Sequence, residues 1–177
     1  MHRVSVGAPP DPLAPNGQVW SLPPLNPIES ARLGHAPFAE LIRANMAHAG
    51  ALRIDHVLGL RRLFVVPDGM RGAEGAYVDQ PFEDFIGQLT LESARAKCVV
   101  VGEDLGTVPW GFRERMAEAK VLSYQVVWFE REGLGFRAPQ SYPALGTAVV
   151  GTHDLATLAG WWSGDDIDED ERLGRID

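Results

Sequence analysis

"ALRIDHVLGL" occupies residues 51–60 and "KCVVVGEDLG" residues 97–106. Each is a short apolar run that ends in ionisable side chains: Arg53, Asp55 and His56 in the first, Glu103 and Asp104 in the second. A third run, "GTAVVGTHDLA" at 146–156, ends in His153 and Asp154. Burying charge is costly unless the charges are paired or used. Three strands that each finish in acid therefore point to a shared face where those acids meet.

The segments between these runs set the architecture. "PFAELIRANMAHAG" (37–50) spaces Phe38, Leu41, Ile42 and Met46 as a helical stripe that Gly50 stops. "PFEDFIGQLTLESARAK" (81–97) reads as a helix, with Pro81 at its start, Phe82, Phe85, Ile86 and Leu89 on one face, and basic residues near its end. The Val run of "CVVVGED" predicts a strand covered on both faces. "VPWGFRERMAEAK" (108–120) reads as a short helix, "SYQVVWFE" (123–130) as a strand, and "LATLAGWWSG" (155–164) as the start of another helix. "LRRLFVVP" (60–67) is ambiguous between helix and strand, and "DGMRGAEGAYVDQ" (68–80) reads as a Gly-rich loop. Alternation of this kind implies parallel strands with crossover helices.

A partial (β/α)8 TIM barrel accounts for the pattern. All strands of such a barrel point one way, and the active site forms on their C-terminal ends. Asp55 and Glu103 are 48 residues apart, and Glu103 and Asp154 are 51 apart. A strand-plus-helix unit takes about 30 residues. The first gap fits one unit with a long loop, and the second, which holds an extra strand, fits two. Asp55 and Glu103 are thus expected on adjacent strands. The α/β barrel portion is expected over 37–164, after a loop or excursion at 1–36. An acidic segment follows at 165–177, read as a solvated loop or an exposed helix face. The Pro-rich stretch "GAPPDPLAPNGQVWSLPPLNP" (7–27) is expected to be a long functional loop.

Composition narrows the function classes. The 177 residues carry 16 basic and 24 acidic side chains, a net charge of −8, which argues against nucleic acid and against an anionic membrane surface. No apolar run reaches 18 residues, so no membrane span is expected. The single cysteine, Cys98, cannot form an internal disulfide and fits a reducing cytoplasm. It reads as a small buried apolar residue rather than a nucleophile. Both ends look unfinished, so the chain is expected to be a piece of a longer protein.

Two neighbouring carboxylates in a pocket suit retaining glycoside chemistry, in which one attacks the anomeric carbon and the other serves as acid and then base, about 5 Å away. Arg53, two residues before Asp55, faces the same side and favours its charged form. Other readings stay open on the residues alone. Arg53–Asp55 fits a structural ion pair, Asp104 a capping turn with Thr107, and "THD" a helix cap. Asp55 with His56, and His153 with Asp154, could ligate a metal, although no H-x-H pair is present. G-x-S-x-G, a Walker loop and G-x-G-x-x-G are absent.

The stretches "LRIDHV", "GAYVDQPFEDF", "GEDLGTVP" and "GTHDLATLAGWW", with "VGAPPDPLAPNGQVWSLPPLNP" before them, resemble the amylomaltases, or 4-alpha-glucanotransferases. The resemblance runs to about Ile167 and is closest to the bacterial maltodextrin-metabolising type. It implies a catalytic barrel of which this chain supplies about strands 4 to 7. It makes Asp55 the nucleophile, Glu103 the general acid/base and Asp154 the carboxylate that grips sugar hydroxyls. Arg53 would orient Asp55, while His56 and His153 would bind hydroxyls. Asp11, Gln18 and Trp20 would belong to a loop over the acceptor side. The implied substrates are maltooligosaccharides and alpha-1,4-glucans, with no cofactor and no metal. The rivals are an alpha-amylase-like hydrolase and a non-catalytic glucan-binding barrel fragment. A part-barrel with open strand edges is further expected to self-associate and to be inactive by itself.

Overall fold

The computed structural model describes residues 3–11, 14–174 and 176. Pro12 and Leu13 of the Pro-rich stretch, and Arg175 and Asp177 of the acidic segment, lie outside the described residues. In chain order the elements are β1 (Val4–Ala8), β2 (Gln18–Val19), α1 (Pro27–Arg32), α2 (Ala36–Met46), β3 (Ala51–Ile54), β4 (Arg62–Pro67), β5 (Ala76–Asp79) and α3 (Phe82–Ala96). There follow β6 (Val99–Gly102), α4 (Phe112–Glu118), β7 (Ser123–Val126), β8 (Arg131–Glu132), β9 (Gly135–Phe136), β10 (Gly146–Val149), α5 (Leu158–Ser163) and α6 (Asp165–Arg172). The chain divides into two units, the first ending at Leu122 and the second beginning at Ser123.

In the first unit β3 and β6 run parallel, with Ala51 beside Val99 and Ile54 beside Gly102. Leu122 extends this pairing as a parallel bridge to Val101. The expected helices α2, α3 and α4 pack around the two strands. Their apolar stripes explain why: Phe38, Ile42 and Met46 of α2 meet Phe85, Ile86 and Leu89 of α3, with Phe112 and Met116 of α4 and Val100 of β6 in the same cluster. Full burial of one such side chain stabilises by about 1.5–3 kcal/mol. Leu41, expected in the α2 stripe, is exposed instead. Cys98 is buried and free, as expected of a small apolar residue. Val99 departs from the expectation of a strand covered on both faces, since it is about half exposed.

Polar ties fix the helices. Glu92 of α3 is buried and receives the guanidinium groups of Arg43 at 2.9 Å and Arg95 at 3.0 Å. His35, also buried, lies between Ser30 Oγ at 2.9 Å and Asp84 Oδ2 at 3.2 Å, which links α1, α2 and α3.

The alternating pattern is interrupted where parallel crossovers were expected. A 3-10 turn at Val57–Leu60 leads directly into β4, which joins an antiparallel sheet in the order β2-β1-β4-β5. The reason is length. A parallel crossover takes a dozen or more residues, and only seven, 55–61, separate β3 from β4. The ambiguous stretch at 60–67 is therefore mostly strand, and the expected Gly-rich loop contains β5. The expected loop at 7–27 likewise contains β2 and the end of β1. α1 follows it, begun by Asn26, whose side chain accepts from the N–H groups of Ile28 and Glu29, with Pro27 in the first turn.

In the second unit β7 and β10 run parallel, with Ser123 beside Gly146 and Val126 beside Val149. β8 and β9 form a small hairpin. The acidic segment is helical over Asp165–Arg172 and buries no residue.

Candidate active site

The register of β3 and β6 decides the geometry. Carrying the pairing of Ile54 with Gly102 one residue further sets Asp55 beside Glu103, and the spacing of neighbouring strands is about 4.8 Å. Backbone bonds continue across the strand ends: Glu103 N–H donates to Ile54 O at 2.9 Å, and Val57 N–H donates to Glu103 O at 2.9 Å. Adjacent strands carrying Asp55 and Glu103 are what the spacing led one to expect.

The two carboxylates occupy different environments. Asp55 is about 59% exposed at its side chain and holds Arg53 at 2.7 Å. Glu103 is only 8% exposed. Its Oε2 accepts from the His56 N–H and its Oε1 from the Leu105 N–H, both at 2.7 Å. Burial pushes the Glu103 carboxyl above the ordinary range, the Leu105 and His56 donors pull against this, the Asp55 charge adds to it and Arg53 opposes it. One carboxylate is thus open and paired with a guanidinium, while its neighbour is enclosed and held towards its protonated form.

His56 adopts a left-handed backbone conformation (φ 46°), and this turn aims its N–H at Glu103. Burial also holds its imidazole pKa below the usual value, against the opposing pull of Asp55. The indole of Trp20 meets the imidazole edge to face at 5.1 Å between centroids. Trp20 Nε1 donates to Gln18 Oε1 at 2.8 Å. The structure therefore brings Gln18, Trp20, His56, Asp55, Arg53 and Glu103 to one end of the β3–β6 pair. Asp11 lies earlier in the same excursion, where its Oδ1 accepts from the Ala14 N–H in a local turn.

The Gln18–Trp20 segment rests on a close backbone approach. Gly17 (φ 67°) and Gly72 lie back to back, and a Cβ on Gly72 would sit 2.5 Å from Gln18 N. Only glycine allows the two strands of chain to touch there.

Asp104 departs from the expected capping turn with Thr107. It is buried and receives Arg113 Nε at 2.6 Å, while Arg113 Nη2 also donates to the Asp104 carbonyl. A buried carboxylate needs a full partner, and the guanidinium of Arg113, in the first turn of α4, supplies it. The Thr107 carbonyl accepts from Arg62 Nη2 at 3.2 Å.

In the second unit His153 and Asp154 are both exposed, with His153 Nε2 at 3.3 Å from Asp154 Oδ2. Asp154 N–H donates to Thr152 Oγ1. Thr157, rather than Asp154, caps α5, accepting from the Gly160 N–H. Their turn begins at Gly151, which packs against the Trp128 indole, and the Trp128 ring lies tilted against Trp161 of α5 at 4.6 Å between centroids. Sequence reasoning missed Trp128, Arg62 and the two N–H donors to Glu103. None of them has a sequence signal, because each acts through backbone groups or across the fold. Among the described residues no cluster of three or more His, Cys, Asp or Glu side chains is arranged to hold a metal, nor is any helix long and apolar enough to cross a membrane.

The profile of the family described as 4-alpha-glucanotransferase matches residues 1–176. A 4-alpha-glucanotransferase of Haemophilus influenzae is 45% identical over 172 residues, covering 97% of this chain and 25% of that protein. One of Mycobacterium tuberculosis is 42% identical over 179 residues, again 25% of its length. The amylomaltase of Corynebacterium glutamicum superposes with a TM-score of 0.91 at 40% identity, covering 99% of this chain and 25% of that structure. A Streptococcus agalactiae amylomaltase, solved with acarbose, shares the fold at a TM-score of 0.78 and 19% identity. This chain spans about a quarter of the length of the relatives it matches. With the family match running from residue 1 to 176, the chain belongs to the 4-alpha-glucanotransferase family.

Proposed function

We propose that the protein carrying this chain is a 4-alpha-glucanotransferase that moves alpha-1,4-glucan segments between maltooligosaccharides by double displacement. The observation that carries the reading is the pairing of an open, Arg53-bound Asp55 with an enclosed Glu103 on neighbouring strand ends. Asp55 attacks the anomeric carbon, and Glu103 gives its proton to the departing 4-oxygen. A glycosyl ester on Asp55 results. Glu103, now ionised and steadied by the His56 and Leu105 N–H groups, then takes a proton from the 4-hydroxyl of an incoming glucan, which displaces Asp55. Burial suits Glu103 to the acid half of this cycle, and the two donors suit it to the base half.

Arg53 orients Asp55 and balances its charge. Asp154 grips hydroxyls of the distorted sugar, with His56 and His153 contributing hydrogen bonds. Gln18 and Trp20, with Asp11 further along their segment, cover the acceptor side. Such a roof favours a sugar over water as acceptor. These strands correspond to about the fourth to seventh of a (β/α)8 barrel. We place the enzyme in the cytoplasm, in keeping with the single buried thiol of this stretch, and expect the isolated chain to self-associate.

The experiment is a maltotriose incubation with product analysis, alongside a Glu103→Gln variant. A transferase yields glucose and longer oligomers with little gain in reducing ends. Glu103→Gln should lose several orders of magnitude in turnover. Net hydrolysis, or a fully active Glu103→Gln, overturns the proposal.

A further inference from the structure

Glu103 owes one of its two N–H donors to a turn outside regular structure, gripped on its Glu103 side where Arg113 of α4 holds Asp104. Leu105 lies between β6 and α4, in a run of chain from Glu103 to Gly111 without regular structure. Its neighbours Gly106 and Thr107 are exposed. A donor that must stay 2.7 Å from a carboxylate during proton transfer needs a second brace, beyond Leu105. Arg62 reaches this turn from β4, donating through Nη2 to the Thr107 carbonyl. The guanidinium is itself fixed, lying 4.0 Å over the ring of Tyr77. Arg62 pairs with Asp79 in the β4–β5 register, which sets Tyr77 as its diagonal neighbour on the same face of the sheet. Arg62 also follows closely on the 3-10 turn that starts beside His56, the other donor to Glu103. One side chain thus ties the start of β4 to the turn after β6.

We propose that Arg62 is a positioning residue for Glu103: stacked on Tyr77, it holds the Thr107 carbonyl and so fixes the turn whose Leu105 N–H donates to the Glu103 carboxylate. The inference rests on the reading of Glu103 as the acid/base, and it gives the antiparallel excursion sheet a part in catalysis. A guanidinium suits the task because its planar fork stacks on a ring while donating sideways. Lysine keeps the charge without that geometry.

The consequence for titration has a definite sign. The groups facing Glu103 are Asp55 and Arg53 from β3, the His56 and Leu105 N–H groups, and Asp104 with its partner Arg113 beside it. The Leu105 donor favours the ionised carboxylate, so loosening it moves the Glu103 pKa upward.

The test uses the full-length enzyme and the variants Arg62→Ala, Arg62→Lys, Tyr77→Leu and Tyr77→Phe. Hydrogen exchange read by mass spectrometry reports the peptide spanning 104–111 without requiring turnover. The pH profile of kcat/KM with maltotriose reports Glu103. Arg62→Ala, Arg62→Lys and Tyr77→Leu should each speed exchange of that peptide and move the basic limb to higher pH. Each should lower kcat by on the order of tenfold, less than the hundredfold that a 1 Å misplacement can cost. Tyr77→Phe keeps the ring and should match the wild type in all three readouts.

Unchanged exchange in Arg62→Ala and Tyr77→Leu overturns the proposal. So does faster exchange with an unmoved basic limb, since Arg62 would then brace the turn without positioning the donor. Wild-type behaviour of Arg62→Lys would reduce the effect to charge and equally overturns it. If Glu103→Gln proves active, the acid/base reading fails instead, and the exchange result still reports on the brace.

Discussion

The backbone N–H of His56 donates to Glu103 Oε2 at 2.7 Å, across 47 residues of sequence. The residue after the proposed nucleophile thus holds the proposed acid/base, so the two strand ends form one unit of structure. A displaced β3 end would disturb both carboxylates together.

The first prediction concerns the proton on Glu103. Its folded-state pKa is raised chiefly by burial, with the Asp55 charge adding a smaller part. Asp55→Asn removes that charge and should lower the Glu103 pKa towards the ordinary value while abolishing transfer. Because the folded pKa lies above the unfolded one, the stability this group contributes is fully present below the unfolded value of about 4.3 and is lost as pH rises through the folded value. Urea unfolding of wild type and Glu103→Gln at a series of pH values reads this directly. The wild type should lose ground relative to the variant as pH climbs through that window, and parallel curves would contradict the assignment.

A second prediction follows from the strain at His56. A non-glycine residue in the left-handed region costs about 1–2 kcal/mol, whereas glycine adds about 0.5–1 kcal/mol of entropy to the unfolded chain. The first effect is the larger. His56→Gly should therefore be more stable than His56→Ala by up to about 1 kcal/mol, with both variants impaired in turnover through loss of the ring. Chemical denaturation of the pair measures the difference, and an Ala variant more stable than the Gly variant would contradict the argument.

The strand-end acids were legible because a Val-rich run that stops at a carboxylate is a local pattern, and the 48-residue spacing matched one barrel unit. The adjacency of Asp55 and Glu103 followed from that, as did α2, α3 and α4 from their apolar stripes. The antiparallel sheet was not legible. β2 has two residues, too few for a period, and the alternation of β1 covers only Val4 to Val6 before Gly7 and the prolines, too short a run to separate from loop. α1 did carry its signals in Asn26 and Pro27, but the prolines around it masked them. Asp104 was misread because its partner Arg113 lies in the next helix, where spacing alone says nothing about pairing. The donors to Glu103 are backbone groups, which every residue has, and only the fold selects His56 and Leu105.

The third prediction tests the seat of the Gln18–Trp20 segment. A Cβ at Gly72 would lie 2.5 Å from Gln18 N and 2.8 Å from Gly17 Cα, all backbone atoms that cannot rotate away. Gly72→Ala should cost about 1–3 kcal/mol, the usual range for overpacking. It should also loosen Trp20 from His56, seen as a change in tryptophan fluorescence and a rise in hydrolysis relative to transfer. A variant with unchanged stability and product ratio would show that the segment is not seated there.

The last prediction concerns the turn that bears His153 and Asp154. It starts at Gly151 and leads into α5, and both ends meet one indole. A Cβ at Gly151 would lie 3.1 Å from Trp128 Nε1, and the Trp128 ring lies tilted against Trp161 at 4.6 Å between centroids. Trp128 is half-buried, and its ring lies between contacts to Phe136 at 6.1 Å and Trp161 at 4.6 Å, which limit its retreat. Gly151→Ala should therefore displace the turn rather than the ring, at a stability cost of about 1 kcal/mol, the low end for overpacking. Trp128→Ala removes the common support and should cost less than the roughly 3–5 kcal/mol of a fully buried aromatic, since the ring is only half-buried. Because Asp154 is proposed to grip the distorted sugar, Gly151→Ala should lower kcat more than it raises KM. Steady-state kinetics with maltotriose, read beside a thermal melt, separates the two effects. A Gly151→Ala enzyme with wild-type kcat would mean that Trp128 steadies the fold without aligning Asp154.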